Sequence, residues 1–117
     1  MPYQFFLEDL VARLAGARAA LLLDSEGEVV VQAGARDERH RLIGAYQGIT
    51  LAAARRILDR HEAGTPGLIV CRYARGTVIL RPLKDGYYLV LAIAPDASLA
   101  LGLQRSADAS ERLQAQL

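Results

Sequence analysis

The sequence predicts an α+β fold, an α/β three-layer sandwich in which a five-stranded antiparallel sheet lies between helices in the order α-β-β-α-β-β-β-α. Three observations predict it. Leu68 to Ala94 holds three runs rich in β-branched and aromatic residues, split by the turns Ala74-Arg75-Gly76 and Lys84-Asp85-Gly86, which is the pattern of an antiparallel meander. The third run, Tyr87 to Ala94, is apolar without alternation, so both its faces must be hidden and helices must cover both sides of the sheet. Segments with helical periodicity precede, separate and follow the strands.

The elements follow in order. Phe5, Phe6, Leu7, Leu10, Val11 and Leu14 recur at helical spacing while Glu8, Asp9 and Arg13 point elsewhere, so the chain opens on an amphipathic helix stopped by Gly16. Arg18 to Leu23 is an apolar strand. Asp24-Ser25-Glu26-Gly27 turns it into Val29-Val30-Val31, which makes a hairpin. Asp37 is a good N-cap for the longest helix, about Glu38 to His61, and Gly64 and Pro66 stop it. Leu42, Tyr46, Ile49, Ala53 and Ile57 form its apolar stripe, broadened by Ile43, Ala54 and Leu58.

A second line on the same helix, Gly44, Gly48 and Ala52, sets small residues one turn apart. Each helical glycine costs about 1 kcal/mol relative to alanine, so the line implies a close approach by another backbone. The spacing permits two candidates, the chain's own sheet or a partner helix across a dimer axis. After the meander, in which Pro82 sits where no ladder bond is donated, Asp96 or Ser98 caps a last helix. Leu99, Leu103, Ala107 and Leu113 mark its apolar side, and Arg105, Asp108, Glu111 and Arg112 its wet side.

At 117 residues the chain can bury one core but not two, so residues 1–117 read as a single domain. A formal net charge of +1 offers no broad field for nucleic acid or an anionic membrane. The cations are almost all arginine, with Lys84 the only lysine, which fits a genomic composition bias or an interface. The single cysteine, Cys71, excludes an internal disulfide, and its place in an apolar strand predicts a buried, inert thiol. The N-terminal residues have no basic n-region, and no run approaches about 18 apolar residues, so the expected location is cytoplasmic.

No reaction is legible. His40 and His61 stand at opposite ends of one helix, roughly 30 Å apart at about 1.5 Å per residue, and cannot share a metal within one chain. Glu8 and Asp9 are adjacent and diverge. Neither Gly-x-x-x-x-Gly-Lys-Ser/Thr nor Gly-x-Gly-x-x-Gly occurs, and Ser25, Ser98, Ser106 and Ser110 lie in no nucleophile elbow. The expectation is a non-enzymatic protein without a cofactor or metal. Arg36, Arg39, Arg41, Arg55, Arg56 and Arg60 gather around the second helix, with Arg72, Arg75 and Arg81 in the meander. They read as a solubilising face or as a protein-binding surface, and Tyr73 and Arg75 are residue types favoured at interface hot spots.

The element order, with Ala20-Leu21-Leu22-Leu23-Asp24-Ser25-Glu26-Gly27 and the glycine-linked strands ending in Leu89-Val90-Leu91-Ala92-Ile93-Ala94-Pro95, resembles the roadblock family of dynein light-chain roadblock-type domains. The likeness covers nearly the whole chain. Where the family commonly has asparagine early in the last helix, Ser98 stands here. The resemblance implies a roadblock/longin-like fold. It also implies a dimer in which the second helix pairs with its mate and the first meander strand adds edge to edge.

That arrangement would set Gly44, Gly48 and Ala52 near the helix seam and Leu68, Val70, Arg72 and Tyr73 at the strand seam, with Arg39, Tyr46, Arg55 and Arg56 facing a partner. The bacterial branch it resembles implies a homodimeric regulator or scaffold for a small Ras-like GTPase. The alternatives are a small-molecule sensor and a general protein-interaction module without a GTPase partner.

Overall fold

The computed structural model describes residues 2–35 and 37–117, the side chains of Pro2 and Arg41 apart; Arg36 and the Arg41 side chain, expected near the second helix, lie outside the described residues. The elements are α1 (Pro2–Ala12), β1 (Ala17–Leu23), β2 (Val29–Gly34), α2 (Glu38–Arg60), β3 (Ile69–Tyr73), β4 (Gly76–Pro82), β5 (Tyr88–Ile93) and α3 (Leu99–Gln116). All neighbouring strands pair antiparallel in one sheet of order β2-β1-β5-β4-β3. The expected fold is present.

Local chemistry accounts for the boundaries. The Asp24 carboxylate accepts from the backbone N–H groups of Glu26 and Glu28, and Gly27 takes φ +84° to close the β1–β2 turn, a conformation that disfavours any side chain. Asp37 caps α2 by accepting from His40 N–H at 2.9 Å. Of the two candidate caps for α3 the chain uses Ser98, whose hydroxyl accepts from Leu101 N–H. The expected Lys84-Asp85-Gly86 turn is a short 3-10 segment with Asp85 at φ 60°.

β5 is the central strand and is buried along its whole length. Successive strand side chains point to opposite faces, so the sheet has two cores. Leu22, Ile79, Leu89, Leu91 and Ile93 meet Leu7 and Leu10 of α1, Leu14 just beyond its end, and Ala109 and Leu113 of α3. Leu21, Leu23, Val78, Leu80, Tyr88 and Val90 meet Leu51 of α2 on the other face. Fully burying one such leucine stabilises by about 1.5–3 kcal/mol. The layers are therefore α1 with α3, the sheet, and α2.

Three expectations are corrected here. Phe5 is 60% exposed, because the residues that α1 buries are Leu7 and Leu10, with Leu14 beyond its end; the Phe5 ring lies edge-on to Phe6. Cys71 is exposed, because it sits in the edge strand β3, whose residues from Cys71 to Tyr73 are uncovered on both faces. α3 buries Ser106 and Ser110 beside its apolar residues, and the reason for Ser106 is Arg81. The Arg81 guanidinium reaches from β4, donates to Ser106 Oγ and to the Leu103 carbonyl at 2.8 Å each, and ties the sheet to α3.

Candidate functional site

α2 lies over the sheet on the face its small residues allow. A Cβ placed on Gly44 would stand 3.3 Å from the Leu21 side chain, and one on Gly48 would stand 2.9 Å from Tyr88 Oη. The Tyr88 hydroxyl points at the helix, with the Gly44 and Ala45 carbonyls at 3.4 and 3.5 Å. Burial, and secondly the Asp24 carboxylate, push its phenol above the usual value. Of the two readings left open for the glycine line, the chain's own sheet is the one observed. The expectation that Gly44 and Gly48 stand at a helix seam is corrected: Leu21, Leu23 and Tyr88 already fill the space against them. Ala52, half-buried, lines a groove with Ser25, Gly27 and Ile49 beside the β1–β2 turn.

Turning the small residues inward turns the bulky ones outward. Leu42 is 44% exposed, Tyr46 61%, Ile49 67% and Ile57 61%. They recur every three, four or eight residues, so they share one side of the helix as a continuous apolar stripe. Exposed single apolar residues are ordinary, but an aligned row of four on one helix is the kind of patch that marks an interaction surface. Arg39, Arg55 and Arg56 are exposed along the same helix. Arg39 stands in the first turn and the other two more than four turns further on, roughly 25 Å away at about 1.5 Å per residue, so no compact partner group contacts all three at one point.

β3 is the second component. It occupies the end of the sheet, with β4 on one side and no strand on the other. Tyr73 pairs with Gly76 across the two-residue turn Ala74-Arg75. A two-residue hairpin closes on a hydrogen-bonded pair, so the amides of Ile69, Cys71 and Tyr73 face β4 while those of Val70 and Arg72 face the free edge. Leu68 and Tyr73 are exposed, Arg72 is exposed and Val70 half-buried. Ile69 packs into the core on the sheet face that α2 covers. A free apolar edge is a template for pairing with another strand.

The histidines stay apart. His40 Nδ1 lies 2.6 Å from Asp37 Oδ1 in the first turn of α2, whereas His61 is the residue that ends the helix. The backbone N–H of His40 first, and its side chain second, hold the Asp37 carboxyl below the usual carboxylate range. Among the described residues no three His, Cys, Asp or Glu side chains are grouped to hold a metal ion, and no helix is long and apolar enough to cross a membrane. The arrangement presents contact surface: a greasy helix face, a free strand edge and arginines around them.

Known proteins share this architecture. The chain superposes on the Roadblock/LC7 domain from Streptomyces avermitilis with TM-score 0.88 at 17% identity, covering 97% of this chain and 95% of that one. It matches Myxococcus xanthus MglB with TM-score 0.88 at 17% identity over 98% and 94% of the two chains. An MglB in a tetrameric arrangement matches with TM-score 0.87 at 20% identity over 97% and 86%. No curated protein matches the chain in sequence. The family model described as the Roadblock/LC7 domain matches residues 4–92, and this chain therefore belongs to the Roadblock/LC7 domain family.

Proposed function

We propose that this protein, taken as one roadblock-type domain over residues 1–117, is a non-enzymatic cytoplasmic homodimer that serves as regulator or scaffold for a small Ras-like GTPase. The observation that carries the reading is the exposed stripe Leu42, Tyr46, Ile49 and Ile57 together with the free edge of β3. A second copy covers both, by helix against helix and by strand against strand, the self-complementary geometry of a two-fold interface. Because Gly44 and Gly48 face inward, the helix seam in this reading consists of the bulky stripe, with Leu68, Val70, Arg72 and Tyr73 at the strand seam. Arg39 in the first turn of α2 and Arg55 and Arg56 towards its end, all exposed, meet the GTPase in this reading, and Tyr46 is shared between the two contacts.

The GTPase as partner follows from the bacterial roadblock resemblance and from the absence of any legible catalytic constellation. Both faces of the sheet are filled by the chain's own side chains, which favours a platform over a sensor that encloses a ligand between sheet and helix. The test is affinity capture on the immobilised chain from lysate of the source organism under GTP and under GDP loading. Recovery of a small GTPase that Arg56→Glu abolishes supports the reading; recovery of none under either nucleotide overturns it.

A further inference from the structure

Where β1 begins, the first turn of α2 and the β3–β4 turn close around an open cleft of about 390 Å³. Arg18 enters it from β1, Arg39 and His40 from α2, and Tyr73 and Arg75 from the end of β3 and its turn, with Ile43 beside them. Three arginines distant in sequence thus converge on one concavity, and among the described residues no carboxylate lines it. Of the two acids just before Arg39, Asp37 spends one oxygen on the His40 N–H and Nδ1, and Glu38 lines a separate recess with Leu42 and Ala45. Arg18 donates to the Arg75 carbonyl, which holds its guanidinium against the turn with further N–H groups to spare. The guanidinium groups of Arg39 and Arg75 have no hydrogen-bond or ion-pair partner among the described residues.

Surface arginines are usually scattered among acids, so that their fields cancel. Here they are gathered in a recess of the size that takes small ligands, in a chain whose overall charge is only +1. We propose that this cleft is a binding site for a small phosphate-type oxyanion, free or carried on a small molecule. Guanidinium forks bind phosphoryl oxygens with paired, charge-assisted hydrogen bonds, and a tetrahedral oxyanion can take donors from three directions where a planar carboxylate serves one fork. The near-neutral charge of the whole chain argues against an extended polyanion as occupant. The cleft is built within one chain, and because Tyr73 and Arg39 also stand at the proposed strand seam and GTPase contact, binding is read on the protein without a GTPase.

The test follows the arginine Nε–Hε resonances of the intact chain near pH 7 while inorganic phosphate is added at constant ionic strength, with chloride as reference. The expected result is saturable movement of Arg18, Arg39 and Arg75. Arg39→Gln and Arg75→Gln should each weaken the apparent affinity about tenfold, the effect of losing a charged hydrogen bond, and Arg112→Gln in the opposite layer should leave it unchanged. A parallel titration with ribose 5-phosphate separates the sources: binding equal to phosphate assigns the free ion, and binding at least about tenfold tighter assigns a phosphorylated small molecule. Linear shifts matched by chloride, wild-type affinity in both cleft variants, or hexaglutamate peptide binding more tightly than phosphate would overturn the proposal.

Discussion

At Gly48 a methyl group would stand 2.9 Å from Tyr88 Oη, closer than real contacts allow, and Tyr88 is too tightly buried to retreat. Alanine gains about 1 kcal/mol of helix propensity over glycine, whereas forcing bulk into a packed core costs about 1–3 kcal/mol. Gly48→Ala should therefore fold with a net loss of stability and Gly48→Leu with a larger one. Tyr88→Phe removes the atom in the way, so Gly48→Ala with Tyr88→Phe should be more stable in urea than the two single effects summed; strict additivity would show that the contact is relieved elsewhere. Tyr88 also sets an alkaline limit. Its phenol titrates higher in the folded chain than the ordinary 10.0, so the unfolded chain loses that proton first. That contribution is complete below pH 10 and is lost as pH rises through the raised folded value. A pH series of urea melts should show this limb in the wild type and a shallower one in Tyr88→Phe.

Between elements, the informative join is Arg81 in β4 with Ser106 and the Leu103 carbonyl in α3. Partial burial draws the Arg81 guanidinium below its ordinary value, yet it holds two charge-assisted bonds that repay the desolvation. Ser106→Ala leaves one donor unpaired and should cost about 1–3 kcal/mol. Adding Arg81→Met removes the orphaned donor, so thermal melts should find the double variant less destabilised than the sum of the singles. The start of α2 depends on Asp37 in a different way. Its carboxyl titrates below 3.8, so the cap is in force above that pH and is lost as pH falls through the lower folded value. Amide exchange in the first turn of α2 should quicken on that acid limb in the wild type, and at every pH in Asp37→Ala.

For the whole molecule the question is what covers the outward side of α2 and the edge of β3. Ile49→Asp places a charge at the most exposed point of the stripe without touching either core. If the stripe is the seam of the proposed dimer, sedimentation should find Ile49→Asp monomeric at concentrations where the wild type associates, with an unchanged melting midpoint once the wild type is diluted to monomer; an Ile49→Asp dimer would remove the helix seam. Cys71 supplies an independent probe, being exposed and the middle residue of the edge strand. If β3 pairs with its mate about Cys71, the two thiols oppose each other at a non-hydrogen-bonded site, the closer of the two antiparallel pairings. Copper-phenanthroline oxidation should then yield a covalent dimer that Cys71→Ser cannot form. A wild-type dimer that never cross-links would place the strand seam elsewhere.

The sequence by itself determined the elements, their order and the sandwich, because those depend on cues acting over a few residues. The Asp24 and Gly27 turn, the Asp37 and Ser98 caps and the unbroken apolar run of β5 all stand where local chemistry puts them. The resemblance drawn from that order is confirmed by the family match over residues 4–92. The pairing of Arg81 with Ser106 crosses from sheet to helix, and the only trace it left in the chain was a serine among apolar positions. Which side of α2 faces inward was decided only by the tertiary structure. Periodicity marks two lines on α2, one bulky and one small, without saying which meets the sheet; the sheet presents Leu21, Leu23 and Tyr88, and the small line closes on them beside Leu51. The volume available under a helix depends on residues far along the chain, and that is why the bulky stripe stands as surface.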